Sequence, residues 1–188
     1  MNSGLKKLKE LAKESYLYLL RNSESGNREI KIPKKFSKLI TKSNNNNYEL
    51  LEYYRRLFNV GITGGKFEIV HPGHIKMLKK AKEFCDILIV VIANDKLMEK
   101  IRSRKTILNQ EERKEIINSI KFVDFTFIGK EDRDFYYFLN LTKPNIIFYG
   151  YDQKEIVSLE KLNFKPKVIR LPKFGEYNTS NLISKKEV

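Results

Sequence analysis

The stretch GITGGKFEIVHPGHIKMLKKAKEF, residues 61–84, decides the expected fold of this 188-residue chain. It starts with a glycine-rich run, passes through a turn, and ends with apolar side chains at helical spacing. Pro72 suits the first turn of a helix because its missing N–H would have no partner there, and Gly73 leaves room for a close ligand. The stretch therefore predicts a strand, a loop and a helix whose N-terminus attracts an anion.

Short apolar runs and helical patterns alternate from residue 58 onward. Five runs predict strands: FNVGIT, DILIVVIA, FVDFTFIG, NIIFYG and KVIRLP. Helical periodicity appears between them in HIKMLKKAKEF, QEERKEIINSI, DFYYFLNL and QKEIVSLEKL. Because DILIVVIA is apolar on both faces, it is typical of a central strand covered by helices on each side. Residues 59–188 are therefore expected to form an α/β domain with a doubly wound, mainly parallel five-stranded sheet of the Rossmann-like kind.

Residues 1–58 follow a different pattern. The segment LKKLKELAKESYLYLL predicts an amphipathic helix, SNNNNYE predicts a loop, and YELLEYYRRL predicts a second helix reaching about residue 57. We interpret this region as a small helical N-terminal extension. It is either a cap packed on the main domain or a degenerate winged helix, in which REIKI would supply a short strand.

Composition narrows the class of protein. The formal net charge of +14 attracts polyanions, nucleotides or anionic membranes without choosing among them, so nucleic-acid binding stays an open alternative. No apolar run approaches the roughly 20 residues that span a bilayer, and we expect no secretory signal in the first residues because charges interrupt their apolar positions. A single cysteine, Cys85, cannot form an internal disulfide and favours a reducing compartment. We expect a soluble, cytoplasmic protein without a membrane partner.

Both histidines of the chain, His71 and His74, lie in the HPGH segment at the predicted helix start. Three residues apart across a turn, they can both point at one anion. Imidazoles donate hydrogen bonds without a permanent charge, which suits a site that stabilises a phosphoryl group in transfer and then releases product. The alternative is that one histidine caps the helix or fills a gap in the core.

Five segments follow one another in an order that is similar to a known family. They are GITGGKFEIVHPGHIKMLKKAKEFCD, VIANDK, RSRKTILNQEERKEIINSIKFVD, FYGYDQ and YNTSNLI. Over about residues 60–183 they resemble the HxGH nucleotidyltransferases, the cytidylyltransferase-like superfamily, and most of all archaeal FAD synthases and glycerol-3-phosphate cytidylyltransferases. The chain departs from the family at two positions, since Glu68 replaces the usual Asp and Lys66 a small residue.

The resemblance implies an enzyme that transfers a nucleoside monophosphate from a nucleoside triphosphate to a phosphate-bearing acceptor, with Mg²⁺ and release of pyrophosphate. Transfer of AMP from ATP to FMN, giving FAD, is the favoured reaction. The alternatives are a CTP-dependent cytidylyltransferase acting on an alcohol phosphate such as glycerol 3-phosphate, and a nonenzymatic protein that senses nucleotides or binds nucleic acid. A homodimer would be ordinary for such an enzyme.

The resemblance also assigns roles to residues of this chain. His71 and His74 would contact the α-phosphate, while Lys105 and Arg113 would neutralise the departing phosphates. Arg102 and Arg104 are weaker candidates because charge runs are usually solvated. No protein metal cluster is expected, and Asp95 would be an outer-sphere partner of Mg²⁺. The expected nucleotide-binding residues are Thr63, Gly64, Gly65, Lys66, Phe67, Gly73, Asn94, Asp95, Gly150, Tyr151, Asp152, Gln153, Asn178, Thr179 and Ser180.

Three of these assignments have structural alternatives. Asp152 and Gln153 would line the base or ribose pocket, or else form a structural turn. Thr179 and Ser180 would bind the β- and γ-phosphates, or else cap the last helix. If the strand predictions hold, the loops TGGKFEIVHPGH, ANDK, GYDQ and GEYNTS all leave strand carboxyl ends and meet at one rim of the sheet, where ligands bind in such folds.

Overall fold

The computed structural model describes residues 3–23, 30–42, 47–132 and 134–175. The chain divides into two compact units, Met1–Phe58 and Asn59–Val188. Among the described helices, none combines the length and apolar character needed to cross a membrane.

The first unit contains the predicted N-terminal helix and a small hairpin that was not predicted. Helix α1 spans Ser3–Ser23, a 3-10 turn Lys34–Phe36, strands β1 and β2 Ile40–Lys42 and Tyr48–Leu50, and helix α2 Glu52–Arg55. Helix α1 buries Ala12, Tyr16 and Leu20 along one face, as its periodicity predicted. The Tyr16 ring meets the Phe58 ring edge-on, with 5.5 Å between centroids.

Two predictions for this unit were wrong. Residues 48–50, predicted as loop and helix, form a strand because Tyr48 and Leu50 share one partly buried face while Glu49 points outward, and because the strand pairs antiparallel with β1. The described part of REIKI, residues 30–32, holds no strand. Whether the unit acts as a cap or descends from a winged helix stays a prediction.

The second unit alternates strands and helices. Its strands are β3 (Val60–Gly65), β4 (Ile87–Ile92), β5 (Phe125–Ile128), β6 (Ile146–Tyr149) and β7 (Lys167–Arg170). Its helices are α3 (Pro72–Lys82), α4 (Asp95–Arg102), α5 (Gln110–Asn118) and α6 (Phe135–Thr142), with a 3-10 turn at Leu159–Lys161. Every residue of β4 is buried, which confirms its predicted central position.

The strands form a parallel sheet in the order β5-β4-β3-β6-β7. The chain builds outward from β3 to β5 and then returns to the other side of β3, so the strand order reverses between β3 and β6. Right-handed crossovers cover both faces of such a sheet with helices. The prediction of a doubly wound, five-stranded parallel fold is confirmed. The crevice at the carboxyl ends of β3 and β6 is where ligands bind in such sheets.

The helix predicted for QKEIVSLEKL was wrong. Residues 154–157 have no regular structure, and only the short 3-10 turn follows. Arg170 Nη1 donates to the carbonyls of Gly150 and Gln153, at 2.9 and 2.7 Å, and Ser158 N–H donates to the Tyr136 hydroxyl at 2.7 Å. Side chains from elsewhere therefore hold the backbone on either side of this segment, against its local helical pattern.

Helix α4 was not predicted, because ANDK was interpreted as a loop alone. The Asn94 side chain accepts a hydrogen bond from Lys96 N–H at 2.9 Å and so caps the helix that begins at Asp95.

Candidate active site

The turn that follows β3 brings an aromatic ring beneath the predicted site. Phe67 adopts a left-handed backbone conformation with φ of 46°, which costs of order 1–3 kcal/mol for a bulky residue. A Cβ at Gly65 would lie 2.6 Å from the Phe67 ring, so the turn requires glycine there. The ring is buried and lies 5.0 Å from the imidazole of His74, measured between centroids.

His71 and His74 lie together at the start of α3. Pro72 lies in the first turn of α3, as predicted, and His71 occupies the N-cap position without a capping hydrogen bond to its side chain. The two imidazoles stack with centroids 3.8 Å apart and planes inclined by 21°. A Cβ at Gly73 would lie 3.0 Å from His71 Nδ1, so the lack of a side chain at Gly73 leaves room for the His71 ring. The pair therefore presents two neighbouring rings at a helix N-terminus, a position that favours anions.

Both imidazoles are held in the neutral form. Burial lowers the pKa of His71, and burial together with the neighbouring His71 lowers the pKa of His74 to about 4. At neutral pH the pair can therefore donate hydrogen bonds while carrying no formal charge.

A cavity of about 520 Å³, here called the histidine cavity, opens beside these rings. It lies at the carboxyl ends of β3, β6 and β7. Of the residues expected to bind nucleotide, the structure brings to its wall Gly65, Lys66, Phe67, Gly73, Gly150, Tyr151, Asp152 and Gln153. The cavity thus joins the first predicted loop to the GYDQ turn, although the two segments are about 80 residues apart in the sequence.

A second cavity of about 290 Å³, here called the apolar cavity, lies at the ends of β3, β4, β5 and β6. Its wall is built mainly from aliphatic and aromatic side chains, among them Val91, Leu97, Phe135, Phe138, Tyr149 and Ile156. Gly64, Gly65, Lys66 and Gln153 also line it. The two cavities therefore share a wall at Gly65, Lys66 and Gln153, and Lys66 is its charged member.

Gln153 links two backbone segments at this shared wall. Its Nε2 donates to the Gly64 carbonyl at 2.7 Å, and its Oε1 accepts from Gly150 N–H at 2.8 Å. Of the two interpretations of Gln153, the geometry matches the structural turn, because both ends of the amide are engaged by backbone. Tyr151 and Asp152 are exposed at the histidine cavity.

Arg113, expected to neutralise the departing phosphates, and Asp95, expected to be an outer-sphere partner of Mg²⁺, pair with each other in the structure. Arg113 is fully buried and donates to the carbonyls of Lys66 and Ala93, at 2.6 and 2.7 Å, and to Asp95 Oδ1 at 2.6 Å. The Asp95 carboxylate also accepts from Gln110 N–H at 2.9 Å. Neither residue lines either cavity. This ion pair instead ties the loop after β3 to the end of β4.

Other expected residues lie outside the two cavities. Thr63 is buried within β3, the Asn94 side chain caps α4, and Lys105 is exposed on the segment between α4 and α5. None of these three lines the histidine cavity or the apolar cavity. Asn178, Thr179 and Ser180 fall outside the residues that the structure describes.

Comparison with known proteins identifies the family to which this chain is similar. Residues 62–169 match the family described as cytidylyltransferase-like. The chain belongs to this family. A protein of Thermococcus sibiricus named FAD synthase is 39% identical over 132 residues, covering 66% of this chain and 89% of that one. A protein of the same name from Aciduliprofundum boonei is 39% identical over 117 residues, covering 60% of this chain and 77% of its own length.

A solved structure agrees with this assignment. The lipopolysaccharide core biosynthesis protein of Thermoplasma volcanium is 30% identical, with a TM-score of 0.57 over 63% of this chain and 99% of that chain. The resemblance predicted from the five segments is confirmed, and this cytidylyltransferase-like chain is a nucleotidyltransferase.

Sequence reasoning missed one cluster in this family member. The Glu68 carboxylate is fully buried, with Arg102 Nη1 2.6 Å from Oε2 and Arg104 Nη1 2.7 Å from Oε1. The sequence favours a solvated charge run for Arg102 and Arg104, but in the structure Arg102 lines the histidine cavity. The one available signal was the acidic residue of the first motif, which would have to find a cation if buried.

Proposed function

We propose that this nucleotidyltransferase transfers AMP from ATP to FMN, forming FAD and releasing pyrophosphate. The observation that carries the proposal is the wall shared by the two cavities. FMN combines a flat, largely apolar ring system with a phosphate, so its ring needs an apolar cavity beside the place where the phosphates meet. Glycerol 3-phosphate has no apolar surface to fill such a cavity. The FAD synthase names of the relatives from Thermococcus and Aciduliprofundum support the same choice.

In this proposal ATP occupies the histidine cavity. His71 and His74 donate hydrogen bonds to the α-phosphate, and the N-terminus of α3 adds its positive dipole end. The backbone at Gly65, on the shared wall, and the exposed Tyr151 and Asp152 contact the nucleotide. Asn178, Thr179 and Ser180 remain proposed contacts of the β- and γ-phosphates, and Lys105 a proposed contact of the departing pyrophosphate.

The chemical step needs alignment more than proton transfer. An oxygen of the FMN phosphate, already ionised at neutral pH, attacks the α-phosphorus of ATP. A new P–O bond forms, the bond from the α-phosphorus to the bridging oxygen breaks, and pyrophosphate leaves with that electron pair. The protein contributes by holding the two phosphates together and by stabilising charge at the α-phosphate.

Mg²⁺ is part of the proposal as an ion carried by the triphosphate. Within the described residues there is no group of three or more His, Cys, Asp or Glu side chains that could hold a metal. Mg²⁺ keeps several waters and is commonly bound by substrate phosphates with one or two carboxylates. Asp152 is the exposed acid at the histidine cavity that could face it. When bound, the ion neutralises phosphate charge.

A cytoplasmic site of action also belongs to the proposal. Cys85, half-buried, is a free thiol, which suits a reducing compartment. A homodimer stays a prediction from the resemblance, and binding to nucleic acid stays an alternative.

The proposal is tested by incubating the full chain with Mg²⁺ and either ATP plus FMN or CTP plus glycerol 3-phosphate. Products are separated by chromatography and pyrophosphate is measured. We expect FAD and pyrophosphate in equal amounts from the first mixture alone. Cytidylyl transfer to glycerol 3-phosphate without FAD would contradict the proposal. Pyrophosphate formation in neither mixture, with tight binding of DNA or RNA, would favour the nonenzymatic alternative.

The same assay tests the histidines. Replacing His71 or His74 by Ala should lower kcat for FAD formation by roughly 100-fold or more, as loss of one donor to a transition-state oxyanion typically does. Circular dichroism should show an unchanged fold. A variant with the wild-type rate would remove that histidine from the proposed chemistry.

A further inference from the structure

The Glu68 cluster carries more positive charge than its own structure requires. One carboxylate, with 0% of its side chain exposed, faces two guanidinium groups. Burying a carboxylate is costly unless a cation compensates it, and one guanidinium would suffice for that. The second leaves a net charge of +1 at the edge of the histidine cavity.

Arg102 is placed to use that charge. It lines the histidine cavity, and 21% of its side chain is exposed. Its Nη1 contacts Glu68, and within the described part of the chain its other N–H groups have no partner. Arg113 differs, because its donors are engaged by backbone carbonyls and Asp95. A guanidinium with several remaining N–H donors matches the geometry of phosphate oxygens.

The backbone between the two arginines is shaped for this arrangement. Ser103, which follows the last residue of α4, adopts a left-handed conformation with φ of 54°. The chain therefore turns sharply between Arg102 and Arg104, and both side chains reach the same carboxylate. Ser103 is the C-cap of α4, and its N–H donates to the Glu99 carbonyl.

We propose that Glu68 is a positioning residue that holds Arg102 in the wall of the histidine cavity, where Arg102 binds the polyphosphate of the nucleoside triphosphate. The identity of that anion rests on the proposed function. Without Glu68, the two arginines would repel each other and the Arg102 side chain would extend into solvent. With Glu68, the guanidinium is ordered before the ligand arrives, so less conformational entropy is lost on binding.

The test uses the full chain with Glu68→Gln, Arg102→Met and the double variant. Glu83→Gln is the matched control, because Glu83 pairs with Lys80 at 2.7 Å on the exposed surface and lines neither cavity. Calorimetry measures the Kd of ATP with Mg²⁺ in the absence of acceptor, and initial rates give KM for ATP and for FMN separately.

We expect each single variant to raise the Kd and KM of ATP at least tenfold, while KM for FMN stays within twofold. The double variant should bind ATP no more weakly than Arg102→Met, because Glu68 acts through Arg102. The control should match the wild type. An ATP affinity unchanged by either substitution, or fully additive effects in the double variant, would overturn the inference.

Two further controls keep the outcome decisive. If Glu68→Gln fails to fold by circular dichroism, Arg102→Met, which leaves Glu68 paired with Arg104, still tests the contact of Arg102 with ATP, and an unchanged ATP affinity would overturn the inference. Arg102→Lys should bind ATP with an affinity between those of Arg102→Met and the wild type, because a lysine keeps the charge but loses the fork of donors. ATP binding is measured without FMN, so a wild-type chain that binds ATP but makes no FAD would count against the proposed function and not against Glu68.

Discussion

The imidazole of His74 lies between the rings of Phe67 and His71, and this position makes the folded protein sensitive to acid. Its pKa falls from the ordinary 6.5 to about 4, mainly by burial. As the pH drops below 6.5, the unfolded chain takes up a proton that the folded protein accepts only near pH 4. The contribution of His74 to the free energy of unfolding is therefore present in full above pH 6.5. It is lost progressively as the pH falls from 6.5 to 4.

The measurement is thermal unfolding of the wild type and His74→Gln across that pH range. The wild-type Tm should fall more steeply than that of the variant as the pH decreases from 6.5 to 4. Parallel curves for the two proteins would show that His74 does not titrate in this way.

Lys66 lines both cavities, and this position predicts a role in binding FMN. The phosphate of FMN must meet the α-phosphate of ATP at the shared wall, where a cation reduces the repulsion between them. Lys66→Gly should raise KM for FMN by about tenfold or more, and raising the ionic strength should weaken FMN binding less in the variant than in the wild type. Steady-state rates at several salt concentrations measure both effects, with Lys154→Gly, which changes a lysine lining the apolar cavity alone, as the comparison. Equal effects of the two substitutions would contradict a special role for Lys66.

The sequence predicts the contacts of some of these residues and not those of others. The histidine pair was predictable because its geometry depends on a local turn and a helix start. Arg113 and Glu68 were not, because each depends on partners distant in the sequence: Lys66 for Arg113, and Arg102 and Arg104 for Glu68. Gln153 and Asp95 belong to segments that resemble family motifs, but in the structure their side chains form hydrogen bonds with backbone groups.

At the scale of elements, the buried Arg113 joins the loop after β3, the end of β4 and the segment before α5. Its Nε donates to the Leu108 carbonyl at 3.2 Å, in addition to its contacts with Lys66, Ala93 and Asp95. Replacing it removes the fully buried partner of an ion pair whose Asp95 side chain is 25% exposed, and it leaves carbonyls without donors. Arg113→Met should therefore lower the free energy of unfolding by roughly 3–5 kcal/mol.

Urea denaturation monitored by circular dichroism gives that free energy. Lys96→Met is the control, because the Lys96 and Glu131 side chains form an exposed pair at 2.6 Å and should contribute little. Similar unfolding midpoints for Arg113→Met and the wild type would show that the Arg113 contacts do not stabilise the rim of the sheet.

Elements were predictable where local pattern and burial agree. Strand β4 is apolar at every position and α3 carries its start signal within HPGH, so both were identified. Residues 154–157 have a helical pattern, but hydrogen bonds with Arg170 and Tyr136 hold the adjoining backbone in another conformation. The hairpin of β1 and β2 has strands of three residues each, too short for a period of two to appear.

At the scale of the whole molecule, every residue that lines the two cavities belongs to the unit Asn59–Val188. The relative from Thermococcus sibiricus matches 66% of this chain over 89% of its own length. A protein consisting of residues 59–188 should therefore fold and form FAD with a kcat/KM within about threefold of the full chain. Chromatographic assay and circular dichroism of the two proteins check this. A folded but inactive shorter protein would assign part of the reaction to residues 1–58.

The overall architecture could be predicted because alternation of buried strands and helices leaves few topologies once crossovers are right-handed. The apolar cavity could not, because its wall combines four strand ends with side chains of α4 and α6. Val91 and Phe135 are residue types that are common in a core, and only the space between the side chains distinguishes a cavity from a packed interior.

The shared wall at Gly65, Lys66 and Gln153 has a consequence for what happens after the bond is made. FAD joins FMN to the AMP part of ATP, so once either half is bound, the other half rebinds at a high effective concentration. The dinucleotide should then dissociate more slowly than either of its halves would alone. An enzyme built in this way slows itself as its own output accumulates.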